Sequence, residues 1–310
     1  MKSLLFALAA MVIGMGAESE AQTYSVETRS DVQYVEHDGV KLLGDLYRPK
    51  GLDKAPVIVA AHGGGWQVGS RVFYRYWGPY LAKNGIALFA VNYRLMKPGV
   101  KTYPGAVYDV KAAVQFVRAN AAQLGVDPDR IGMMGDSAGA HLVALVALAG
   151  DEPLFSSEYR NDPHAATPAT VKALVGFYGV YDMAAQWHHD QLSRPRDQIT
   201  EKFLGASPMQ SRRIYFDASP LSYATVEKRE KTGTRFLLIH GTNDDIADPR
   251  TQSQVFLNAL KQAGFFARTI VVPGSGHFWA SDPVEEAGSY GAQAAPQMLR
   301  FLQNAFAVAP

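Results

Sequence analysis

The amino-acid sequence predicts an α/β fold, a mostly parallel β-sheet that is flanked by helices on both faces. Short apolar runs that end in glycine or polar residues recur along the chain, as expected of strands buried on both sides. Helical stretches separate these runs, and strands that alternate with helices form parallel sheets. No internal repeat, low-complexity tract or linker breaks the pattern, so a single domain is expected after the first 21 residues.

The strands begin with a hairpin. Asp38-Gly39 is a turn pair between two stretches at residues 32–35 and 41–47, and this arrangement predicts two antiparallel strands. Further strands are predicted from apolar runs at residues 56–61, 86–91, 131–134, 171–175, 236–239 and 269–272. Helices are predicted at residues 138–149 and 252–262, and a last helix runs through Phe301.

The region from Pro104 to Gly125 carries a single helical stripe. Its apolar members are spaced by 3, 4, 3, 4 and 3 residues, which places them on one face of a helix. They are Val107, Val110, Val114, Val117, Ala121 and Leu124. Gly125 is expected to cap this helix at its C-terminus.

Two stretches lack the sheet pattern. Residues 151–170 and 182–233 are polar and rich in proline, arginine and aromatic residues. We interpret them as lid-like excursions over the sheet and not as a second domain.

The composition excludes several classes of protein. Of 310 residues, 47% are hydrophobic and 19% are charged, so the chain can bury a sizeable core and wholesale disorder is excluded. A net charge of +1 gives no basic footprint for nucleic acid. The sequence has no cysteine, which removes disulfides, thiolate metal sites and cysteine nucleophiles.

The first 21 residues have the form of a secretory signal peptide. Lys2 precedes an apolar stretch at residues 3–16, and Ser19 and Ala21 place small residues before a cleavage point. The alternative is a buried N-terminal helix. The apolar stretch is too short for a membrane span, and no cysteine follows it to carry a lipid, so no stable membrane anchor is expected. The prediction is a bacterial protein exported to the periplasm or the medium, with residues 22–310 as the mature domain.

Residues 135–139 read Gly-Asp-Ser-Ala-Gly between a predicted strand and an apolar helix. A nucleophilic serine needs a sharp strand-to-helix turn with small neighbours, and this context makes Ser137 the candidate. The motif alone is a weak signal, and the alternative is an ordinary turn in which Ser137 caps the helix.

A glycine triplet follows the predicted strand at residues 56–61. Gly63, Gly64 and Gly65 lie between His62 and Trp66, and their N–H groups could face a ligand without side chains in the way. Together with the N–H of Ala138, such donors suit the oxyanion of acyl transfer. The alternative is a flexible turn. His62 itself is expected to brace the loop.

A serine nucleophile needs a histidine base and a carboxylate that orients it. In the chain order Ser, acid, His, the best base is His277, on a glycine-rich loop after the last predicted strand. Asp244 and Asp245 follow the preceding strand, with Asp248 as a third candidate, and spacing alone leaves the acid open.

Several stretches, in order from about residue 56 to residue 277, carry a resemblance to a known family. They are His62-Gly63-Gly64-Gly65-Trp66, Asn92-Tyr93-Arg94-Leu95, Tyr103-Pro104 with Asp109, Asp127-Pro128 with Arg130-Ile131, Gly135-Asp136-Ser137-Ala138-Gly139-Ala140-His141-Leu142, His240-Gly241-Thr242-Asn243-Asp244 and Gly276-His277. Together they resemble the α/β-hydrolase serine esterases of the hormone-sensitive-lipase and feruloyl-esterase-like groups. The Ala140-His141-Leu142 stretch is more similar to the feruloyl-esterase-like and arylformamidase branches than to the lipase-like members.

This resemblance implies an α/β-hydrolase fold and a triad of Ser137, Asp244 and His277, since the family's acid stands four residues after the histidine at 240. It also implies that Gly64 and Gly65 donate to the oxyanion with Ala138, while Gly63 is a further candidate donor.

The expected function is a serine carboxylesterase that hydrolyses short-chain or aryl esters through an acyl-enzyme on Ser137, without cofactor or metal. The partner is then a small-molecule ester. An amidase of the arylformamidase type is the alternative, disfavoured by the signal peptide because those enzymes serve cytoplasmic metabolism. A non-catalytic binding module on the same fold is the remote alternative.

Candidate substrate-binding residues lie beside the catalytic motifs or in the second lid-like stretch. They are Trp66, Asp136, Trp187, Phe278 and Trp279. An aromatic residue in such a place either lines the pocket or packs in the core.

Overall fold

The computed structural model describes residues 23–97 and 102–307. The predicted signal peptide therefore lies outside the described residues. Within them the strands are β1 (Val26–His37), β2 (Val40–Pro49), β3 (Ala55–Ala61), β4 (Ala87–Val91), β5 (Val126–Asp136), β6 (Ala173–Phe177), β7 (Arg235–Gly241) and β8 (Ala267–Val272). They form one sheet.

The sheet runs in the order β1-β2-β4-β3-β5-β6-β7-β8. The pairs β1–β2 and β2–β4 are antiparallel, and every later pair is parallel. The predicted α/β class with a mostly parallel sheet is confirmed. The predicted hairpin is present, although its strands extend well beyond 32–35 and 41–47.

The helices among the described residues are α1 (Trp77–Lys83), α2 (Gly105–Ala119), α3 (Ala121–Leu124), α4 (Ala138–Ala149), α5 (Pro153–Ser156), α6 (Met183–Ser193), α7 (Ile199–Leu204), α8 (Arg212–Asp217), α9 (Val226–Thr232), α10 (Ser253–Gln262) and α11 (Tyr290–Phe306). Short 3₁₀ turns cover Arg71–Tyr74, Pro220–Tyr223 and Trp279–Ser281. Helix α4 matches its predicted bounds. The stripe after Pro104 is buried as expected but is divided at Asn120 into α2 and α3, and Gly125 caps α3 in a left-handed conformation with φ 68°.

Two hydrophobic cores lie on opposite faces of the sheet. Successive residues of a strand point to opposite faces, so Val57 and Val59 of β3 pack in the core with α2, α4 and α10. Ile58 and Ala60 pack in the other core, with α1 and α11. All seven residues of β3 are buried, which is why the strand reads as an uninterrupted apolar run.

The two stretches without a sheet pattern contain only helices and turns. Residues 151–170 hold α5, and residues 182–233 hold α6 to α9. No helix in the described part of the chain is both long enough and apolar enough to span a membrane.

Candidate active site

Ser137 lies at the turn between β5 and α4. Its backbone has φ 51° and ψ −117°, a conformation that costs a non-glycine residue energy and that the nucleophile elbow requires. The Ser137 N–H donates to the carbonyl of Phe177 on β6 at 2.9 Å, which holds the turn against the neighbouring strand.

The glycines of the elbow are required by close backbone contacts. A Cβ at Gly135 would overlap the backbone of Gly139, and a Cβ at Gly139 would overlap the carbonyl oxygen of Ala61 on β3. The small neighbours expected of a nucleophile elbow therefore have a direct steric reason in this chain.

His277 joins Ser137 to Asp244. The Ser137 hydroxyl lies 2.9 Å from Nε2 of His277, and Nδ1 of the same ring lies 2.8 Å from Oδ2 of Asp244. The other carboxylate oxygen of Asp244 accepts the N–H groups of Ile246 and Ala247 at 3.0 Å each. The side chains of His277 and Asp244 are 1% and 0% exposed, so water does not compete for these bonds.

The other candidate acids are engaged elsewhere. Asp245 is exposed, and it contacts the imidazole of His189 through its backbone carbonyl. Asp248 pairs with Arg250. Neither carboxylate bonds to His277, so the geometry favours Asp244, as the resemblance implies.

Three backbone N–H groups in the glycine loop (His62–Trp66) and at the start of α4 have no hydrogen-bond acceptor among the described residues. Among the described residues, the backbone N–H groups of Gly64, Gly65 and Ala138 donate no hydrogen bond. Ala138 is the first residue of α4, where a helix leaves its N–H groups unsatisfied. These are the donors expected of an oxyanion hole. The prediction of Gly63 as a further donor is wrong, because its N–H already donates to Oδ1 of Asp136 at 2.9 Å.

Asp136 supports the glycine loop, His62–Trp66. Besides the Gly63 N–H, its Oδ1 accepts the hydroxyl of Tyr74 at 2.9 Å. Burial raises the pKa of Asp136 to about 6, against the hydrogen bonds from Tyr74 and Gly63 and the charge of His277, which lower it. The prediction that Asp136 binds substrate is therefore corrected: its carboxylate is buried and holds the loop.

His62 braces the same loop from inside. Its Nδ1–H donates to the carbonyl of Gly63 at 2.7 Å, and its ring stacks on Tyr93 with centroids 4.5 Å apart. The Tyr93 hydroxyl donates to the His62 carbonyl at 2.8 Å. Burial lowers the pKa of His62 to about 4, so the ring is neutral at physiological pH. It therefore has no imidazolium proton to give as a general acid beside His277.

Two of the predicted pocket residues are core residues. Trp66 is 2% exposed and stacks on Phe203 of α7 at a centroid distance of 4.5 Å. Trp279 is 3% exposed and packs edge-on against Phe177 and Tyr178. The prediction that Trp66 and Trp279 contact substrate is wrong, because neither side chain has surface left for it.

Phe278 and Trp187 stay candidates. Phe278 is 65% exposed, and its ring lies 4.6 Å from that of His277. Trp187 is half-buried and its indole N–H donates to Glu201 at 2.6 Å, which links α6 to α7.

Tyr178 is a site residue that the sequence analysis missed. Its ring lies 4.4 Å from that of His277, and its hydroxyl accepts the N–H of Ala280 at 2.9 Å. It packs against the base and fixes the chain just beyond it. Its position directly after β6, at the carboxyl edge of a parallel sheet, was the available signal.

The stretch at residues 92–95, part of the family resemblance, has a structural role. The guanidinium of Arg94 donates to Asp109, whose side chain is 0% exposed, at 2.7 Å. Asp109 also accepts from Nδ1 of His37 at 2.6 Å. This buried cluster ties the strand β1 and the helix α2 to the chain that follows β4.

Comparison with known proteins agrees with this geometry. The sequence model of the BD-FAE family matches residues 44–260, more than half of the chain. The chain belongs to the BD-FAE family.

Among curated proteins, this family member is 32% identical over 238 residues to "Probable carboxylic ester hydrolase LipM" of Mycobacterium tuberculosis, which covers 75% of this chain and 51% of that protein. The chain thus spans about half the length of the curated relatives it matches.

Among solved structures, it is similar to the esterase Est2 of Thermogutta terrifontis, with TM-score 0.71, 26% identity, and coverage of 94% of this chain and 95% of that chain. The same esterase phosphorylated by paraoxon gives TM-score 0.69 and 26% identity, with coverage of 96% and 99%. Its butyrate-bound form gives TM-score 0.68 and 26% identity, with coverage of 92% and 94%. The fold is that of the α/β-hydrolases.

Proposed function

We propose that the protein is a serine carboxylesterase that hydrolyses short-chain or aryl carboxylic esters through an acyl-enzyme on Ser137. One observation carries the proposal. His277 bonds to both Ser137 and Asp244, at 2.9 and 2.8 Å, beside three N–H groups that have no partner among the described residues.

The first half of the reaction forms the acyl-enzyme. Ser137 Oγ attacks the ester carbonyl carbon while Nε2 of His277 takes the hydroxyl proton. Asp244 holds the Nδ1–H tautomer of the ring and stabilises the imidazolium that forms. The electron pair of the carbonyl moves to its oxygen. The N–H groups of Gly64, Gly65 and Ala138 donate hydrogen bonds to the oxyanion that forms there.

The second half releases the products. The tetrahedral intermediate expels the alcohol, which takes its proton from His277. Water then attacks the acyl carbon with His277 again as base, and the acid leaves Ser137. Loss of one oxyanion donor costs about 3 kcal/mol of barrier in comparable sites.

The relatives support the choice of esters. The curated relative is named a probable carboxylic ester hydrolase. The structural neighbour is an esterase that has been solved with butyrate bound, which supports a short acyl chain. Neither the described geometry nor the relatives reported above favour an amide substrate or a non-catalytic module.

The test is hydrolysis of p-nitrophenyl acetate, butyrate and octanoate beside N-formylkynurenine, with Ser137→Ala as the matched control. We expect turnover of the esters, fastest for the shorter chains, and its loss in the variant. Ester turnover that survives Ser137→Ala would contradict the nucleophile. Faster turnover of N-formylkynurenine than of the esters would reassign the protein as an arylformamidase.

We also propose export to the periplasm or the medium, on the basis of the charged start, apolar stretch and small residues of positions 1–21. N-terminal sequencing of the protein from a bacterial host should begin at Gln22. A chain that retains Met1 in the cytoplasmic fraction would overturn this proposal.

A further inference from the structure

His141 is a buried imidazole that the catalytic steps do not use. It lies one turn into α4, where its N–H donates to the carbonyl of Ser137 at 3.1 Å. Its Nδ1 accepts the indole N–H of Trp66 at 3.2 Å. Its Nε2 lies 2.8 Å from the carbonyl oxygen of Ala218. The side chain of His141, which is 0% exposed, thus joins α4, the glycine loop and the 182–233 segment.

The two partners fix the protonation state of the ring. An indole N–H can only donate, and a carbonyl oxygen can only accept. Both bonds exist together only when Nδ1 carries the lone pair and Nε2 carries the hydrogen, which is the neutral ring. Burial lowers the pKa of His141 to about 4, so the neutral form persists across the physiological range.

The backbone of Trp66 is in a strained conformation that surrounding contacts must maintain. It has φ 60°, a left-handed conformation that is strained for a bulky residue, and it directly follows Gly65. Its ring stacks on Phe203 and meets the ring of His141 edge-on, and its carbonyl accepts the N–H of Met96 at 2.8 Å. Trp66 directly follows Gly65, so contacts that hold its side chain also restrain the end of the loop that carries the N–H groups of Gly64 and Gly65.

The 182–233 segment closes the other side of the loop. Ile199 of α7 lies so close to Gly65 that a Cβ there would overlap its side chain. Phe203 stacks on Trp66. The bond from His141 to Ala218 fastens this segment to α4, the helix that begins directly after Ser137.

We propose that His141 is the positioning residue of the oxyanion hole: its neutral ring holds Trp66, and through it the N–H groups of Gly64 and Gly65, in register with Ser137. The proposal rests on the proposed esterase function, because it assigns a support for that same site. His141 does not touch the reacting atoms and acts through Trp66.

The test compares substrate kinetics with binding of a transition-state analogue. Butyl trifluoromethyl ketone adds Ser137 Oγ to its carbonyl carbon, the carbonyl oxygen becomes an alkoxide in the oxyanion hole, and His277 takes the proton. In His141→Phe, which keeps a ring but loses both bonds, we expect kcat on p-nitrophenyl butyrate to fall about tenfold or more. The inhibition constant should rise by the same factor while KM stays within about twofold.

A conservative variant separates positioning from mere structure. In His141→Asn the amide oxygen lies about where Nδ1 was, so the bond from Trp66 is kept and the bond to Ala218 is lost. We expect this variant to recover most of kcat although its unfolding free energy is lowered. Trp66→Phe should match His141→Phe in kcat, and the double variant should be no worse than either, because each removes the bond between Trp66 and His141. His164→Phe is the control, since the contacts of His164 include no residue of the triad or the glycine loop.

Hydrogen exchange gives a readout that needs no activity. The N–H groups of Gln67 and Val68 donate to the carbonyl of Gly64 at 3.1 Å each, and both should exchange faster in His141→Phe. Unchanged exchange, an unchanged inhibition constant, or additive effects in the double variant would each overturn the role of His141. Absence of ester turnover in the wild-type protein would instead contradict the proposed function, and exchange would still decide whether His141 orders the loop.

Discussion

The backbone N–H of Gly63 donates to Oδ1 of Asp136 at 2.9 Å, so the residue before the nucleophile holds the first glycine of the loop that faces it. The carboxylate that makes this bond is buried and has a pKa raised from 3.8 to about 6. This hydrogen bond fixes the position of the glycine loop relative to the elbow, and Asp136 does so without contacting substrate. It also makes the stability of the protein depend on pH in a way that can be measured.

The first prediction concerns Asp136→Asn. Between pH 3.8 and about 6 the folded protein keeps a proton on Asp136 that the unfolded chain has released, so its unfolding free energy falls as the pH rises through this window. Asparagine keeps the acceptor oxygen but does not titrate. The variant should therefore gain about 2 kcal/mol relative to wild type between about pH 4.5 and about pH 7.5. Urea unfolding at the two pH values measures the difference, and a pH-independent difference would refute the pKa shift.

The second prediction concerns the elbow glycines. In Gly139→Ala the new methyl group would overlap the carbonyl oxygen of Ala61, and β3 would have to move away from α4. We expect a loss of at least about 3 kcal/mol in unfolding free energy, or failure to fold. Gly276→Ala is the matched control, since its Cβ would meet only the carbonyl of Asn243 at 3.5 Å. Denaturant unfolding of both variants decides the point, and equal stability would show that the elbow is not sterically restricted.

The third prediction distinguishes the two neighbouring acids. Asp244→Asn keeps the shape of the side chain but no longer stabilises the imidazolium or the Nδ1–H tautomer, so kcat should fall about 10³-fold to 10⁴-fold. Asp245 is exposed and makes no bond to His277. Asp245→Asn should therefore keep kcat within about threefold. The reverse result on p-nitrophenyl butyrate would reassign the acid.

The sequence predicted best those parts whose residues are buried on every side. Helix α4 is correct at both ends because each of its residues is buried, so the apolar run coincides with the helix. Strand β1 was predicted over only four of its residues, since the rest of this edge strand is half-exposed and carries polar side chains such as Arg29 and Asp31. The mostly parallel pairing of the sheet followed from the alternation of strands and helices, whereas the order of the strands was not predicted.

Within the site, the sequence predicted the residues and not their surroundings. Neighbours along the chain do not share an environment: Phe278 has φ 71°, and this turn sends its ring to solvent while Trp279 enters the core. The candidate pocket residues were chosen by adjacency and failed for that reason at Trp279. The contacts of Ile199, Phe203 and Ala218 with the loop and α4 are long-range, so no local pattern could indicate them.

The central claim is that Ser137 is the nucleophile, and covalent labelling with paraoxon tests it most directly. Ser137 Oγ would attack phosphorus and expel p-nitrophenolate, and the diethyl phosphoryl group would remain on the serine. Mass spectrometry of digested protein should find one group per chain, on the peptide that contains Ser137, in step with the loss of ester turnover. Ser137→Ala should take up none, and His277→Ala should react far more slowly. A label on another residue, or full activity after labelling of Ser137, would contradict the account.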